Sequence, residues 1–232
     1  MIEFFEWVVL TLGTVTVTLL LAERYGVEIA IAIYASLTII ANVIAYKIVL
    51  VSYIPVPAGV IVYASTFLVT DMLCEIYGKS YAKRAVIAGL VANVVAIVSI
   101  YIAINWKAAP FMGLEDVEAF NKVLGLAPRI VLASILAYVV SQTHDVYAYH
   151  FWKRVTKGRY LWLRNNASTM VSQAIDTIVF ITVAFYGVYP IVDLIKGQYL
   201  IKVVIAALDT PFLYATVCLS RFIIKKEVKV PS

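Results

Sequence analysis

Runs of about twenty predominantly apolar residues follow one another along the whole chain, and they fix the solvent in which it must fold. A run of that length crosses a hydrocarbon core near 30 Å thick as a single α-helix, which satisfies every backbone polar group internally. Seven such segments can be drawn: Phe4–Ala22, Glu28–Val51, Val56–Tyr77, Ala85–Trp106, Arg129–Trp152, Asn165–Tyr189 and Leu200–Ile223. Of 232 residues, 63% are hydrophobic and 14% charged, whereas soluble domains average about 45–50% and about 25%. The expected fold class is an all-α polytopic membrane bundle of six to seven transmembrane helices. With no Gly/Ser linker or long polar tail inside it, residues 1–232 are expected to form one integral domain. The N-terminus, Met1-Ile2-Glu3-Phe4-Phe5-Glu6, lacks the basic start of a secretory signal peptide and is expected to be retained.

The one sizeable connection, Lys107–Pro128, carries Leu114, Val117, Phe120 and Leu124 at helical spacing, with Glu115, Asp116 and Glu118 between them. This predicts a short amphipathic surface helix, acidic at its start and closed by Gly125. The net charge of +5 comes from Lys and Arg in short loops, a topology signal with no implication of nucleic-acid binding. One side receives Arg24, Lys79, Lys83, Arg84, Lys153, Arg154, Lys157, Arg159, Arg164, Arg221, Lys225, Lys226 and Lys229. The other receives Lys47, Lys107, Lys122, Arg129, Lys196 and Lys202. Thirteen against six puts the C-terminus in the cytoplasm and, with seven crossings, the N-terminus outside.

Against this apolar background, two near-copies of one polar signature stand out: Ser141-Gln142-x-x-Asp145 and Ser172-Gln173-x-x-Asp176. An aspartate at the centre of an inserted helix costs roughly 2.5–3.5 kcal/mol and usually faces a polar pathway. Tyr138, Gln142, Asp145 and Tyr149 form one helical stripe, with His144 pointing elsewhere; Thr169, Gln173, Asp176 and Phe180 form another. Asp176 lies near the bilayer midplane, too deep for its short stem to reach the headgroups. Polar side chains can also act simply as interhelical glue. In the third segment Asp71 and Glu75 share a face close to the cytoplasmic end, where Glu75 can alternatively pair with Lys79. Asp209-Thr210-Pro211 sits mid-run, as an interrupted helix at a midplane site or as an ordinary proline kink. Asn42 and Asn93 add amides to the second and fourth segments.

Cys74 and Cys218 lie far apart in apolar runs, and His144 and His150 do not share a helix face, so neither pair has metal-ligand spacing. No metal or other cofactor is expected. The sequence holds no Gly-x-Ser-x-Gly, His-Glu-x-x-His or phosphate-cradling glycine loop, and Asp71 lacks the Gly-x-Gly-Asp context of an intramembrane protease. These absences argue against an enzyme.

The motifs Thr70-Asp71-x-x-x-Glu75-x-Tyr77-Gly78-Lys79, Ser141-Gln142-x-His144-Asp145 and His150-x-x-Lys153 carry a resemblance. So do Trp162-x-Arg164-Asn165-Asn166-x-Ser168-Thr169, Ser172-Gln173-x-x-Asp176-Thr177 and Asp209-Thr210-Pro211-Phe212. Across residues 28–216 the chain resembles the YhhQ-type queuosine precursor transporter family, also called vitamin uptake transporters. The resemblance implies import of 7-deazaguanine bases, carrying a 7-cyano or 7-aminomethyl group, that are built into modified tRNA nucleosides. Such a base presents N1–H and a 2-amino group as paired donors that one carboxylate can accept together. Asp145, Asp176, Gln142, Gln173, Tyr138, Asn42 and Asp209 are the expected substrate-binding residues, and Asp71 and Glu75 the expected gate or proton carriers. A second reading is a substrate-capture subunit needing a separate ATP-driven energising module, and a third makes the acids interhelical glue. Proton coupling, sodium coupling and downhill entry are all compatible with the sequence, as is a homo-oligomer.

Overall fold

The computed structural model of the protein describes residues 2–45, 47–125, 127–157, 159–187 and 191–227. Among these the chain order is α1 (Ile2–Tyr25), α2 (Glu28–Ile44), β1 (Ile48–Val51), β2 (Ile54–Pro57), α3 (Val60–Ile76) and α4 (Lys79–Asn105). There follow α5 (Leu114–Gly125), α6 (Ala127–Val155), α7 (Leu161–Phe185) and α8 (Ile191–Glu227). Of the residues quoted above, Met1, Tyr189 and Lys229 lie outside those described. The side chains of Trp162, Arg164, Asn165, Asn166, Thr169, Arg221, Lys225 and Lys226 do too.

Seven of the helices correspond to the seven apolar segments, and α5 is the amphipathic helix expected after Lys107, with Glu115 and Asp116 in its first turn. Two boundaries differ from the sequence reading. The end of the second segment and the start of the third fold as an antiparallel hairpin, pairing Ile48 with Pro57 and Val51 with Ile54. Its turn residues Ser52 and Tyr53 have φ of 48° and 71°, the left-handed geometry that matches the twist of a two-residue hairpin loop. Pro55 and Pro57 lack an N–H, which a two-stranded hairpin with free outer edges tolerates. The last helix begins at Ile191 rather than Leu200 and runs unbroken through Pro211. The bundle thus shows a continuous helix at Asp209-Thr210-Pro211, where an interrupted one had been an alternative.

The packing is inverted relative to a soluble protein. α3 is the central element: Val60 and every residue from Ala64 to Cys74 are buried, because α1, α2, α4, α6 and α8 all pack on it. α4 turns Ile87, Val91, Val94, Val95 and Val98 outward, and α1 does the same with Val9, Leu10 and Val17. Buried in their place are Thr70, Asp71, Gln142, Asp145, Gln173, Asp176, Lys202 and Asp209. An apolar exterior around a polar interior is stable when lipid, which cannot hydrogen-bond, is the solvent. By length and composition, the stretches Glu3–Tyr25, Lys79–Asn105 and Ile191–Ser220 each suffice to cross a membrane. α6 and α7 are diluted by their buried polar residues, and the chain folds as a multi-pass helical membrane bundle. Cys74 is buried, whereas Cys218 faces outward.

α3 starts in direct contact with the backbone of α2. A Cβ on Gly59 would lie 2.2 Å from the carbonyl oxygen of Ala41, a backbone atom that cannot rotate away. Gly59→Ala is therefore expected to destabilise the bundle by about 1–3 kcal/mol, the usual cost of overpacking. Thermal unfolding in detergent would register this as a lowered Tm. An unchanged Tm would mean that the α2–α3 contact is looser than the geometry requires.

Candidate functional site

α6 and α7 run antiparallel, and their register brings the two repeated signatures face to face. Ser141 Oγ on α6 donates to Asp176 Oδ1 on α7 at 3.0 Å, while Ser168 and Ser172 on α7 face Asp145 on α6. His144 Nδ1 lies 2.8 Å from Ser172 Oγ, so the imidazole points to α7 and away from the Tyr138–Tyr149 stripe.

Asp176 is the best-held acid. Its Oδ1 also accepts from Tyr63 Oη of α3 at 2.8 Å, and its Oδ2 is ion-paired with Lys202 Nζ of α8. Lys202 has no solvent-exposed surface, and its ammonium sits 5.3 Å from the centre of the Tyr63 ring. Counted by sequence among the loop cations, Lys202 is in fact an interior residue. A buried charge that loses its partner is left uncompensated in a low dielectric, typically at a cost of about 3–5 kcal/mol.

A cavity adjoins this carboxylate on the half of the bundle that ends in the hairpin. Asp176, Tyr63, Phe180, Asn42, Ser134 and Gln198 supply its polar and aromatic walls, and Pro57, Gly59 and Val60 bound it on the hairpin side. About 360 Å³ of atom-free space lies between its walls and mouth. The walls stand close together, leaving an inner space sufficient for about two water molecules. In this conformation a two-ring solute enters only if the walls part.

The other expected residues fall into three groups. Asn42 lines the cavity but is also tied down, donating to Asn93 Oδ1 and accepting from Ser134 Oγ at 2.6 Å. Asn93 in turn donates to Thr38 Oγ1 and the Gly89 carbonyl, so α2, α4 and α6 are stitched together there. Tyr138 belongs to the same seam: its hydroxyl donates to the Val86 carbonyl of α4 at 2.7 Å, and its ring packs on Tyr34.

Deeper in, Gln142 Nε2 donates to Thr66 Oγ1 at 3.2 Å. Among the described residues, Gln142 Oε1 and both amide atoms of Gln173 make no hydrogen bond. These are fully buried groups, and such orphans in a folded protein call for water or a ligand. Asp71 is buried on α3, where the Cys74 thiol lies within electrostatic range of both it and Asp145. Asp209 is buried on α8, seven residues after Lys202 and on the same helix face.

At the far end, Glu75 is bound across to α6. It pairs with Lys153 at 3.2 Å and accepts from Tyr149 Oη at 3.3 Å. Lys79, the partner that sequence spacing offered, instead sits 3.7 Å over the Tyr147 ring. Among the described residues, no cluster of three or more His, Cys, Asp or Glu side chains has the arrangement of a metal site.

Tyr63, Gln198 and Lys202 are the site-forming residues that sequence reasoning missed. Gln198, Lys202 and Asp209 share one helical face, a signal hidden by starting the last segment at Leu200. The ion pair makes a direct prediction. Asp176→Asn strands the Lys202 charge and is expected to cost about 3–5 kcal/mol. Asp176→Asn with Lys202→Met removes both charges at similar volume and should recover most of that loss. Thermal unfolding of the three proteins checks it, and a double variant no more stable than the single would refute the pairing.

Comparison with known proteins agrees with this architecture. The family described as "Putative vitamin uptake transporter" matches residues 57–216. A "Probable queuosine precursor transporter" of Bacillus subtilis (strain 168) is 34% identical over 184 residues, covering 77% of this chain and 79% of its own. The "Queuosine precursor transporter" of Escherichia coli (strain K12) is 29% identical over 128 residues, covering 55% of this chain and 54% of its own. No solved structure matches the chain. The match over residues 57–216, with the extended similarity to the Bacillus protein, makes this chain a member of the vitamin uptake transporter family.

Proposed function

We propose that the protein is a single integral domain that imports a 7-deazaguanine base, a precursor of queuosine, across the cytoplasmic membrane. The observation that carries this reading is the buried Asp176–Lys202 pair heading a cavity walled by the rings of Tyr63 and Phe180. Charged and hydrogen-bonding groups beside aromatic faces suit a flat, polar heterocycle. The similar proteins are named as transporters of a queuosine precursor.

Import needs a route beyond the cavity, and the α3–α6–α7 interface offers polar groups at successive levels. Below Tyr63 and Asp176 come Thr66 with Gln142, then Gln173 and Asp145, then Asp71. The track ends at Glu75, Tyr149 and Lys153, whose mutual contacts close that end. In this reading Asp176, Asn42 and the new wall residues form the outer part of the binding site, and Asp145, Gln142 and Gln173 the inner part. Asp71 and Glu75 serve the inner gate, with proton transfer as one role open to them. Tyr138 and Asp209 support the site from behind, through the α4 seam and α8.

With Lys202 inside the bundle, thirteen basic residues stand against five on the other side. That asymmetry supports an orientation with the Glu75 end and the C-terminus in the cytoplasm and the hairpin outside. The narrow cavity then lies on the outer half and the ion-paired closure on the inner half, as alternating access requires.

Uptake of radiolabelled 7-cyano-7-deazaguanine into liposomes containing only the purified protein tests the reading. Accumulation above protein-free liposomes is expected, with at least a tenfold loss in Asp145→Asn and in the doubly neutral Asp176→Asn/Lys202→Met variant. Uptake that appears only with an added ATPase would make the chain a capture subunit instead. If both variants transport at the wild-type rate, the site assignment fails.

A further inference from the structure

The bonding at Asp176 leaves little room for a solute. Oδ1 already accepts from Tyr63 and Ser141, and Oδ2 is taken by Lys202. A ligand with paired donors must therefore displace one of these partners. Losing a neutral hydroxyl bond leaves the ion pair intact. Losing the ammonium demands a new acceptor for Lys202, because a buried charge cannot go unpartnered. A solute that brings its own acceptor beside its donors meets both demands at once.

Lys202 does not stand alone on its helix. Gln198 lies one turn before it on the same face of α8, is buried, and lines the cavity with an Oε1 that bonds to nothing among the described residues. The cavity wall thus presents two acceptors, the Gln198 amide oxygen and the Asp176 carboxylate, and the Lys202 ammonium lies behind that wall, bound to Asp176. A neutral lactam ring edge, a carbonyl oxygen next to a ring N–H and an exocyclic amine, complements the Lys202 donor and the two carboxylate oxygens of Asp176.

We propose that Lys202 is a substrate-reading residue, released from Asp176 on binding to hydrogen-bond the exocyclic carbonyl oxygen of the base. Asp176 then takes the neighbouring ring N–H and amino group. The inference rests on the proposed function, because it assumes that the solute is a base of the 7-deazaguanine class. It adds the selective group and the exchange by which the site opens. No net charge enters or leaves the interior, since the carboxylate and ammonium both persist with new neutral partners.

Selectivity against an edge-altered base follows. A site built to hydrogen-bond a polar atom rejects an analogue lacking it far more strongly than an apolar wall would, because its own buried groups are left unpaired.

The test compares binding of 7-deazaguanine and its 6-deoxo analogue, 2-amino-7-deazapurine, which lacks both the carbonyl oxygen and the neighbouring ring N–H, to the purified protein by calorimetry. Wild type is expected to bind the oxo base at least tenfold more tightly. Asp176→Asn/Lys202→Met should bind weakly with that preference reduced to within about twofold. Lys202→Arg, which keeps the charge and the pair, guards against a double variant that fails to fold. It should weaken the oxo base more than the deoxo base. Equal affinity of wild type for the two bases would overturn the proposal, as would an undiminished preference in Lys202→Arg or in the double variant. If wild type binds neither base, the functional reading itself fails, a result distinct from binding without discrimination.

Discussion

A carboxylate and an ammonium sealed inside a bundle with a lipid-facing exterior have no water to fall back on, so each must be held by the other. In this protein that requirement is met at one point, where Lys202 of α8 reaches Asp176 of α7. Tyr63 of α3 and Ser141 of α6 complete the carboxylate's shell. Four helices are thereby referenced to a single side chain. The position of the cavity and the orientation of the Tyr63 ring inherit that reference. A buried ion pair contributes little net stability over an apolar pair of the same shape. Its place in the structure is better explained by what it specifies than by how tightly it binds.

The two ends of the bundle are closed by different physics. On the hairpin side the closure is steric: Gly59 lies against the α2 backbone, and Gly197 of α8 admits Ile54 and Pro55 so closely that a Cβ would meet Ile54 at 2.7 Å. Such contacts give way when helices rock apart by small amounts. On the basic side the closure is electrostatic and hydrogen-bonded, with Glu75 between Lys153 and Tyr149. Lys153 there is partly exposed, so water can compete for the pair and its opening costs much less than opening the interior one.

Much of this was legible in the sequence, for identifiable reasons. Apolar run length located the helices, because lipid thickness is a hard constraint. Helical spacing located the Gln142–Asp145–Tyr149 and Gln173–Asp176–Phe180 stripes and the amphipathic α5. The hairpin was hidden because Ile48–Val51 and Ile54–Pro57 are as apolar as the helices they join, and hydropathy does not distinguish strand from helix. The alternating prolines at 55 and 57 were the available signal. Lys202 was hidden for the opposite reason. A lysine within a few residues of an apolar run reads as a loop charge, and only its register with Gln198 and Asp209 marks it as interior. Which acid finds a cation, and which finds hydroxyls, depends on neighbouring helices and has no local signature.

The repeated Ser-Gln-x-x-Asp element shows how far a local motif can diverge in meaning. In two antiparallel helices, a serine and an aspartate four residues apart place each serine opposite the other helix's aspartate. The same spacing in both helices is then what a reciprocal α6–α7 seam requires, whether or not the segments share an origin. The environments still differ. Asp176 is drawn toward α8 and α3 and meets a cation and a phenol, whereas Asp145 is turned toward α3 and α7 and meets hydroxyls and a thiol. One half of the repeat carries a compensated charge and the other an acid held by the neutral hydroxyls of Ser168 and Ser172.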